Sequence, residues 1–169
     1  MNFKILPFRQ AIHIPLVIVG KVKIRDLSGQ IDFQCPIRFG LLLIGKDVDN
    51  MPISFLPTQI LIQGTLIIEG ACIINQSANV IVWTHGILKL GEGILICSGV
   101  TVKAVNFVAI GKYSMISSGS FIMDSNIHCI RDTETGETYN PTSKIQIGSY
   151  CWLSMYATVL GGEDYQTAV

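Results

Sequence analysis

The chain has 169 residues, 49% of them hydrophobic and 14% charged, with twelve Lys and Arg against twelve Asp and Glu and no net charge. That length suffices for one domain with a sizeable core, and the composition argues against disorder and against a nucleic-acid binder, which needs a basic stripe. A mean hydropathy of +0.48 has two possible sources, a dense β core or apolar surface covered in an oligomer.

Residues 1–60 contain strand-like pieces without a clear period, and Pro36, Pro52 and Pro57 fit loops or edge strands. This stretch is expected to form an N-terminal strand and loop segment that packs on, or starts, a following domain at 61–169. Its most apolar run, residues 12–20, is interrupted by His13 and Pro15 and falls far short of the ~20 residues of a membrane-spanning helix. No small-residue cleavage site follows a clean apolar region, so a signal peptide is not expected. The sequence thus predicts a cytoplasmic protein with no integral membrane segment.

From residue 61 the pattern changes. Short β-branched strings (Leu66-Ile67-Ile68, Ile73-Ile74, Val80-Ile81-Val82) alternate with Gly, Asn, Ser and Thr, which predicts short strands joined by frequent turns. No stretch has the three- and four-residue spacing of a long helix. Residues 82–89 slip out of register. Beyond them Leu90, Ile96 and Val102 are spaced by six; after two extra residues Ile110, Ile116 and Ile122 repeat the spacing, and the next step lands on His128. Ile147, Leu153 and Val159 restart it. A fixed short period marks a solenoid, and hexads belong to parallel β-helices.

Counting each aliphatic leader as position one, position two is Gly91, Gly111 and Gly148, and position five is Ser114, Ser120, Cys151 and Ala157, or Cys72 and Ala78 in the earlier register set by Ile68 and Ile74. A large and then a small inward residue suits a narrow coil, and glycine beside the leader suits a corner that needs positive φ. Three hexads make one triangular turn, so 90–107, 110–127 and 147–164 each predict a coil, with adjacent coils about 4.8 Å apart. Residues 128–146 leave the frame as a looped-out insertion. Long loops on rigid scaffolds commonly cover a site or touch another subunit.

Cys35, Cys72, Cys97, Cys129 and Cys151 are odd in number and contain no Cys-x-x-Cys, so core thiols are expected rather than disulfides or a zinc site. His13, in an apolar run, is expected to be structural.

The run Lys144-Ile145-Gln146-Ile147-Gly148-Ser149-Tyr150-Cys151-Trp152-Leu153-Ser154, continuing to Val159, Gly161 and Gly162, resembles the IxIGxxxWIGxxxxIxxG signature of hexapeptide-repeat acyltransferases. Ile122-Met123-Asp124-Ser125-Asn126-Ile127-His128 resembles the I-x-D-x-x-x-H segment that carries that family's catalytic histidine. The match covers roughly residues 60–162, and within the family it is most like the sugar and polysaccharide O-acetyltransferases. The resemblance implies an all-β, left-handed parallel β-helix, a hand that the usual right-handed crossover rule would not produce. It also implies a homotrimer that binds acetyl-CoA as acyl donor and a sugar or polysaccharide acceptor in a cleft between subunits, with no metal. Two departures stand out. Ser154 occupies the place of a signature glycine, and the chain ends at Val169, where relatives continue with further CoA-holding coils, which predicts a C-terminally truncated form.

On that resemblance His128 is the general base. Transfer of an acetyl group from a thioester to a hydroxyl requires removal of the hydroxyl proton, and an imidazole of unperturbed pKa about 6.5 suits the task. It then protonates the departing thiolate, backbone N–H groups at a corner serve the oxyanion, and no cysteine nucleophile is needed. Asp124, Asn126, His85 and Asn140 are the candidate substrate contacts; the alternatives are orientation of His128 or plain solvent exposure for Asp124, a surface or core place for His85, and satisfaction of the loop backbone for Asn140. Trp152, Ser154 and Gly161 are the candidate CoA contacts, with corner packing the alternative for Trp152. Two rival readings remain: a non-catalytic β-helix scaffold that has lost CoA binding, and a zinc enzyme like the γ-carbonic anhydrases, whose three metal ligands would have to be His13, His85 and His128, with none paired by short spacing.

Overall fold

The computed structural model describes residues 1–47, 56–125, 127–128, 130–138 and 143–161. Two four-residue helices, α1 (Asn2–Ile5) and α2 (Phe8–Ala11), come first. The strands then follow in threes. β1 (Leu16–Ile18), β2 (Val22–Asp26) and β3 (Gln30–Phe33) lead to β4 (Leu42–Lys46), β5 (Thr58–Ile62) and β6 (Thr65–Ile68). Next come β7 (Cys72–Asn75), β8 (Asn79–Val82) and β9 (Ile87–Leu90), then β10 (Ile94–Ile96), β11 (Thr101–Ala104) and β12 (Phe107–Ile110). The last are β13 (Met115–Ile116), β14 (Phe121–Met123) and β15 (Lys144–Ile147), followed by β16 (Trp152–Leu153) and β17 (Thr158–Leu160).

Every third strand pairs in parallel. The first sheet runs β1-β4-β7-β10-β13-β16, the second β2-β5-β8-β11-β14-β17 and the third β3-β6-β9-β12-β15. The chain visits the three sheets in turn, so the described part is all-β apart from the two short helices and is consistent with a parallel β-helix. The sheets begin at Leu16, and β1 to β5 belong to them. Residue 60 lies within β5. The hexad frame is hard to see in this region because β2 and β4 carry register irregularities against their neighbours and the β4–β5 connection is long.

The aliphatic leaders stack in columns, one in each sheet. Leu90 pairs with Ile110 and Ile110 with Ile147; Ile96 pairs with Ile116 and Ile116 with Leu153; Val102 pairs with Ile122 and Ile122 with Val159. The first six are buried, whereas Ile147, Leu153 and Val159 in the last described turn are half-buried. The inward residues of all sheets merge into one apolar core, whose burial is the main force holding the coil. Small polar residues fill the inward places at corners. Ser114 Oγ donates to Gly148 O and accepts from Cys151 N, and Ser120 Oγ donates to Ser154 O, which supplies partners for main-chain groups between successive turns.

The expectation of positive φ at Gly91, Gly111 and Gly148 is not met. The left-handed residue is two places further on, at Gly93, Tyr113 and Tyr150. What Gly111 provides is clearance: a methyl group there would lie 2.5 Å from the carbonyl carbon of Gly148 and from the Ser149 nitrogen in the next turn. At Gly148 the nearest neighbour of such a methyl is Cys151 Sγ at 3.5 Å. Gly111→Ala is therefore expected to cost about 1–3 kcal/mol by overpacking, lowering Tm by several degrees, while Gly148→Ala stays close to wild type. Equal melting curves for the two variants would refute this account of the corner glycines.

Cys72 and Cys97 are buried, but Cys35 and Cys151 are only half-buried, so the core-thiol reading holds for two of the four described cysteines; Cys129 lies outside the described residues. Burial pushes the Cys72 thiol up to about 12. Between the usual thiol range, near 8.5, and that value, the unfolded chain releases a proton that the folded chain keeps. Rising pH therefore favours unfolding across this interval, and the stabilisation is fully present only below it. The wild-type Tm should fall more steeply over this alkaline interval than that of Cys72→Ala, and parallel pH–Tm curves would contradict the assignment.

Candidate functional site

The chain turns from the second sheet to the third along one edge of the coil, and the polar side chains of interest collect there. In the early turns Gln63 Nε2 donates to Asp26 Oδ2 at 2.9 Å. That bond, together with the Ser28 amide, holds the Asp26 carboxyl below its usual range. The next turn places Trp83, Thr84, His85 and Gly86 at this edge, closed by a bond from Gly86 N to Trp83 O. His85 is exposed and has φ +68, so the unthreaded residues 82–89 are the end of β8, a four-residue corner and the start of β9.

Two turns later the edge opens into the insertion. The strand β15 already takes up Lys144–Ile147, paired with Phe107–Ile110 of β12, so the looped-out segment is 124–143 rather than 128–146. Its two ends meet, because Ser143 N donates to Asp124 O at 3.1 Å. Asp124 follows β14 at the inward place that Ala104 and Val82 occupy in earlier turns, as the pairing Met123–Lys103 and Ala104–Val82 requires. Its side chain is fully buried. Oδ1 accepts from Val105 N at 2.8 Å, and Oδ2 from Asn106 N at 2.8 Å and Phe107 N at 2.6 Å.

The reason lies in the insertion itself. At the same edge of earlier turns such amides bond to carbonyls of the next turn, as Gln63 N and Gly64 N do to Val82 O, Thr65 N to Gly86 O, and Trp83 N to Ala104 O. Where the chain departs at residue 124 those carbonyls are displaced, and the Asp124 carboxylate takes their place. The structure therefore assigns Asp124 to the main chain of the preceding turn. Its two oxygens accept from three amides inside the core, a main-chain role that the motif did not reveal.

His128 is exposed on the insertion, four residues beyond this root. The approach to it is shaped by Ser125 Oγ accepting from Ile127 N at 3.1 Å and by φ +64 at Ile127, a turn that ends at the histidine. Farther out, Arg131 and Thr138 form an antiparallel bridge. Asp132 Oδ1 accepts from Glu134 N and Thr135 N, Arg131 Nε donates to Gly136 O, and Gly136 has φ +74. The Asp-, Thr- and Gly-rich composition thus makes a hairpin tip rather than a plain loop. Asn126 and Asn140 lie outside the described residues.

The candidate CoA contacts do not share this edge. Trp152 is on the first sheet, 72% exposed, with Nε1 donating to Ser117 Oγ at 2.6 Å. Ser154 is exposed at the corner between the first and second sheets, and its carbonyl accepts from Ser120 Oγ and Ala157 N. Only Gly161 reaches the insertion root. Its N–H donates to Met123 O, and an added methyl would collide with Ser143 Oγ and lie 2.7 Å from Asp124 O. Ser143 Oγ is buried with no hydrogen-bond partner. Nothing in the hexad pattern pointed to Ser143, because its importance comes from closing the insertion.

His13, expected to be structural, is exposed before β1. With His85 on the third turn and His128 on the insertion, the three imidazoles sit at separate places along the coil. Among the described residues no three His, Cys, Asp or Glu side chains are grouped so as to hold a metal ion, and no helix is long and apolar enough to cross a membrane. No family model, curated protein or solved structure matches the chain.

Proposed function

We propose that the protein is an acetyl-CoA-dependent O-acetyltransferase of the hexapeptide-repeat type, built on a left-handed β-helix and acting on a sugar or polysaccharide hydroxyl. The observation that carries this reading is an exposed imidazole, His128, on a long insertion rooted at the polar edge of an otherwise regular coil. There the imidazole takes the proton of the attacking hydroxyl as its oxygen bonds to the acetyl carbonyl carbon. The carbon–sulfur bond then breaks, and the same proton passes to the thiolate. Main-chain amides at a corner are the candidate donors to the oxyanion.

The positions of Trp152 and Ser154, away from the edge that holds His128, favour a site shared between copies of the chain, with one copy supplying the base and its neighbour the CoA contacts. The first sheet suits such an interface. Its outward residues in register are Val17, Leu43, Ile73, Leu95, Met115 and Trp152, an unbroken apolar column. The outward columns of the third sheet are by contrast mixed, one of Gln30, Thr65, Ile87, Phe107 and Lys144 and one of Asp32, Ile67, Lys89, Ala109 and Gln146. A homotrimer packed through the first sheet also gives a reason for the high mean hydropathy.

The test is titration of CoA into the protein, with the oligomeric state measured in parallel, followed by acetyl transfer from acetyl-CoA to a panel of sugars. Binding and turnover support the transferase. The same dispersal of Trp152, Ser154 and Gly161 favours, as the second reading, a β-helix scaffold without CoA binding; a folded protein that neither binds CoA nor transfers acetyl groups would establish it.

A further inference from the structure

The N-terminal end of the coil combines exposed aromatic rings with an excess of positive charge. Helices α1 and α2 precede the first strand of the coil and bury Leu6 and Ala11 in the core. The Asn2 side chain holds them there, its Nδ2 donating to Leu16 O at 2.8 Å and its Oδ1 accepting from Leu16 N at 3.0 Å. That anchoring turns Phe3 and Phe8 outward, 66% and 72% exposed, with ring centroids 6.2 Å apart. Ile12 and Ile14 are exposed just after them. Phe39, 67% exposed, comes from the β3–β4 connection, which Gly40 N ties to Ile14 O.

The charge pattern is also uneven. Residues 1–41, which hold the two helices and the first turn, carry Lys4, Arg9, Lys21, Lys23, Arg25 and Arg38 against Asp26 and Asp32, which leaves six basic residues against ten acidic ones for the rest of the chain. The neutral total therefore conceals a basic end and an acidic body. Exposed phenylalanines flanked by Lys and Arg are the composition that seats helices in the interface of a bilayer, and anionic lipid attracts the cations.

We propose that this end docks peripherally on an anionic lipid surface, with Phe3 and Phe8 inserted among the headgroups and Lys4 and Arg9 facing lipid phosphates. Charge complementarity selects this occupant: the surface is basic and apolar together, and a bilayer of anionic lipid offers both partners in one plane. The attachment does not depend on the acetyltransferase reading.

The experiment is cosedimentation of the full chain with phosphatidylcholine vesicles, with and without a large fraction of phosphatidylglycerol, at low and high salt. The wild type should pellet with anionic vesicles, much less with neutral ones, and be released by salt. Lys4→Gln combined with Arg9→Gln should reduce partitioning roughly thirtyfold. Phe3→Ser combined with Phe8→Ser should reduce it roughly tenfold or more. All four side chains are outside the core, so unchanged melting curves verify the fold. A wild type that stays in the supernatant with anionic vesicles overturns the proposal, as does equal pelleting of wild type and both double variants. Loss of self-association in the Phe variant, without vesicle binding by the wild type, would assign the surface to a second copy of the chain instead.

Discussion

His128→Ala is expected to lower the rate of acetyl transfer by about 10²–10⁴-fold, the usual contribution of a positioned general base, while leaving Tm and CoA binding near wild type. The side chain is exposed on the insertion, so its removal takes little from the core, and surface substitutions of this kind usually change stability by less than about 0.5 kcal/mol. Residual activity would come from holding thioester and hydroxyl together. Added imidazole should restore part of the rate if the missing function is proton transfer. A variant within threefold of the wild-type rate would remove His128 from the reaction and with it the main support for the transferase.

Asp124→Ala should have the opposite profile, failing through the fold. The carboxylate is fully buried and accepts from Val105, Asn106 and Phe107, and removing it leaves three amides without their acceptors at the point where the next turn is diverted. Hydrogen bonds to charged groups contribute about 1.5–3 kcal/mol each, and breaking a buried charged contact costs about 3–5 kcal/mol. The three bonds share one side chain, so their losses are not additive, and a total of about 4 kcal/mol is the working figure. For a chain of this size that corresponds to a fall in Tm of roughly 10 °C. Asp124→Asn keeps one acceptor oxygen but sets an amide donor against main-chain donors, and should fall between wild type and alanine. A Tm within about two degrees of wild type for Asp124→Ala would show that the corner relaxes and that the carboxylate is not its support.

These two side chains show how far the sequence reading reached. His128 was legible because a period of six makes any departure visible, and a histidine at the departure stands out. Asp124 was visible in the same motif, but its direction was not. Its spacing places it one residue past Met123 without saying whether a carboxylate at that place turns to solvent or replaces displaced carbonyls. That depends on amides 17 to 19 residues earlier, brought near only when the turns stack. Trp152, Ser154 and Gly161 were read as one group because they share a short stretch of chain. The winding of the coil carries Gly161 away from Trp152 and Ser154, since six residues along the sequence is the distance from one sheet to the next. The corner glycines make the same point at smaller scale: at Gly91 and Gly111 the reason for glycine proved to be contact between turns rather than φ, and at Gly148 neither applies.

By itself the sequence determined that this is a chain of short strands with a regular inward period, mostly β in structure and interrupted by an insertion near a histidine. Those features are local and periodic, written in the order of large, small and turn-forming residues. Only the tertiary structure decided that the coil begins at Leu16, that the insertion is rooted at Asp124 and Ser143, and that one sheet carries an outward apolar column. Each of these depends on which residues of successive turns come to lie side by side, because pairing between strands about twenty or more residues apart sets the neighbours that a linear period leaves open.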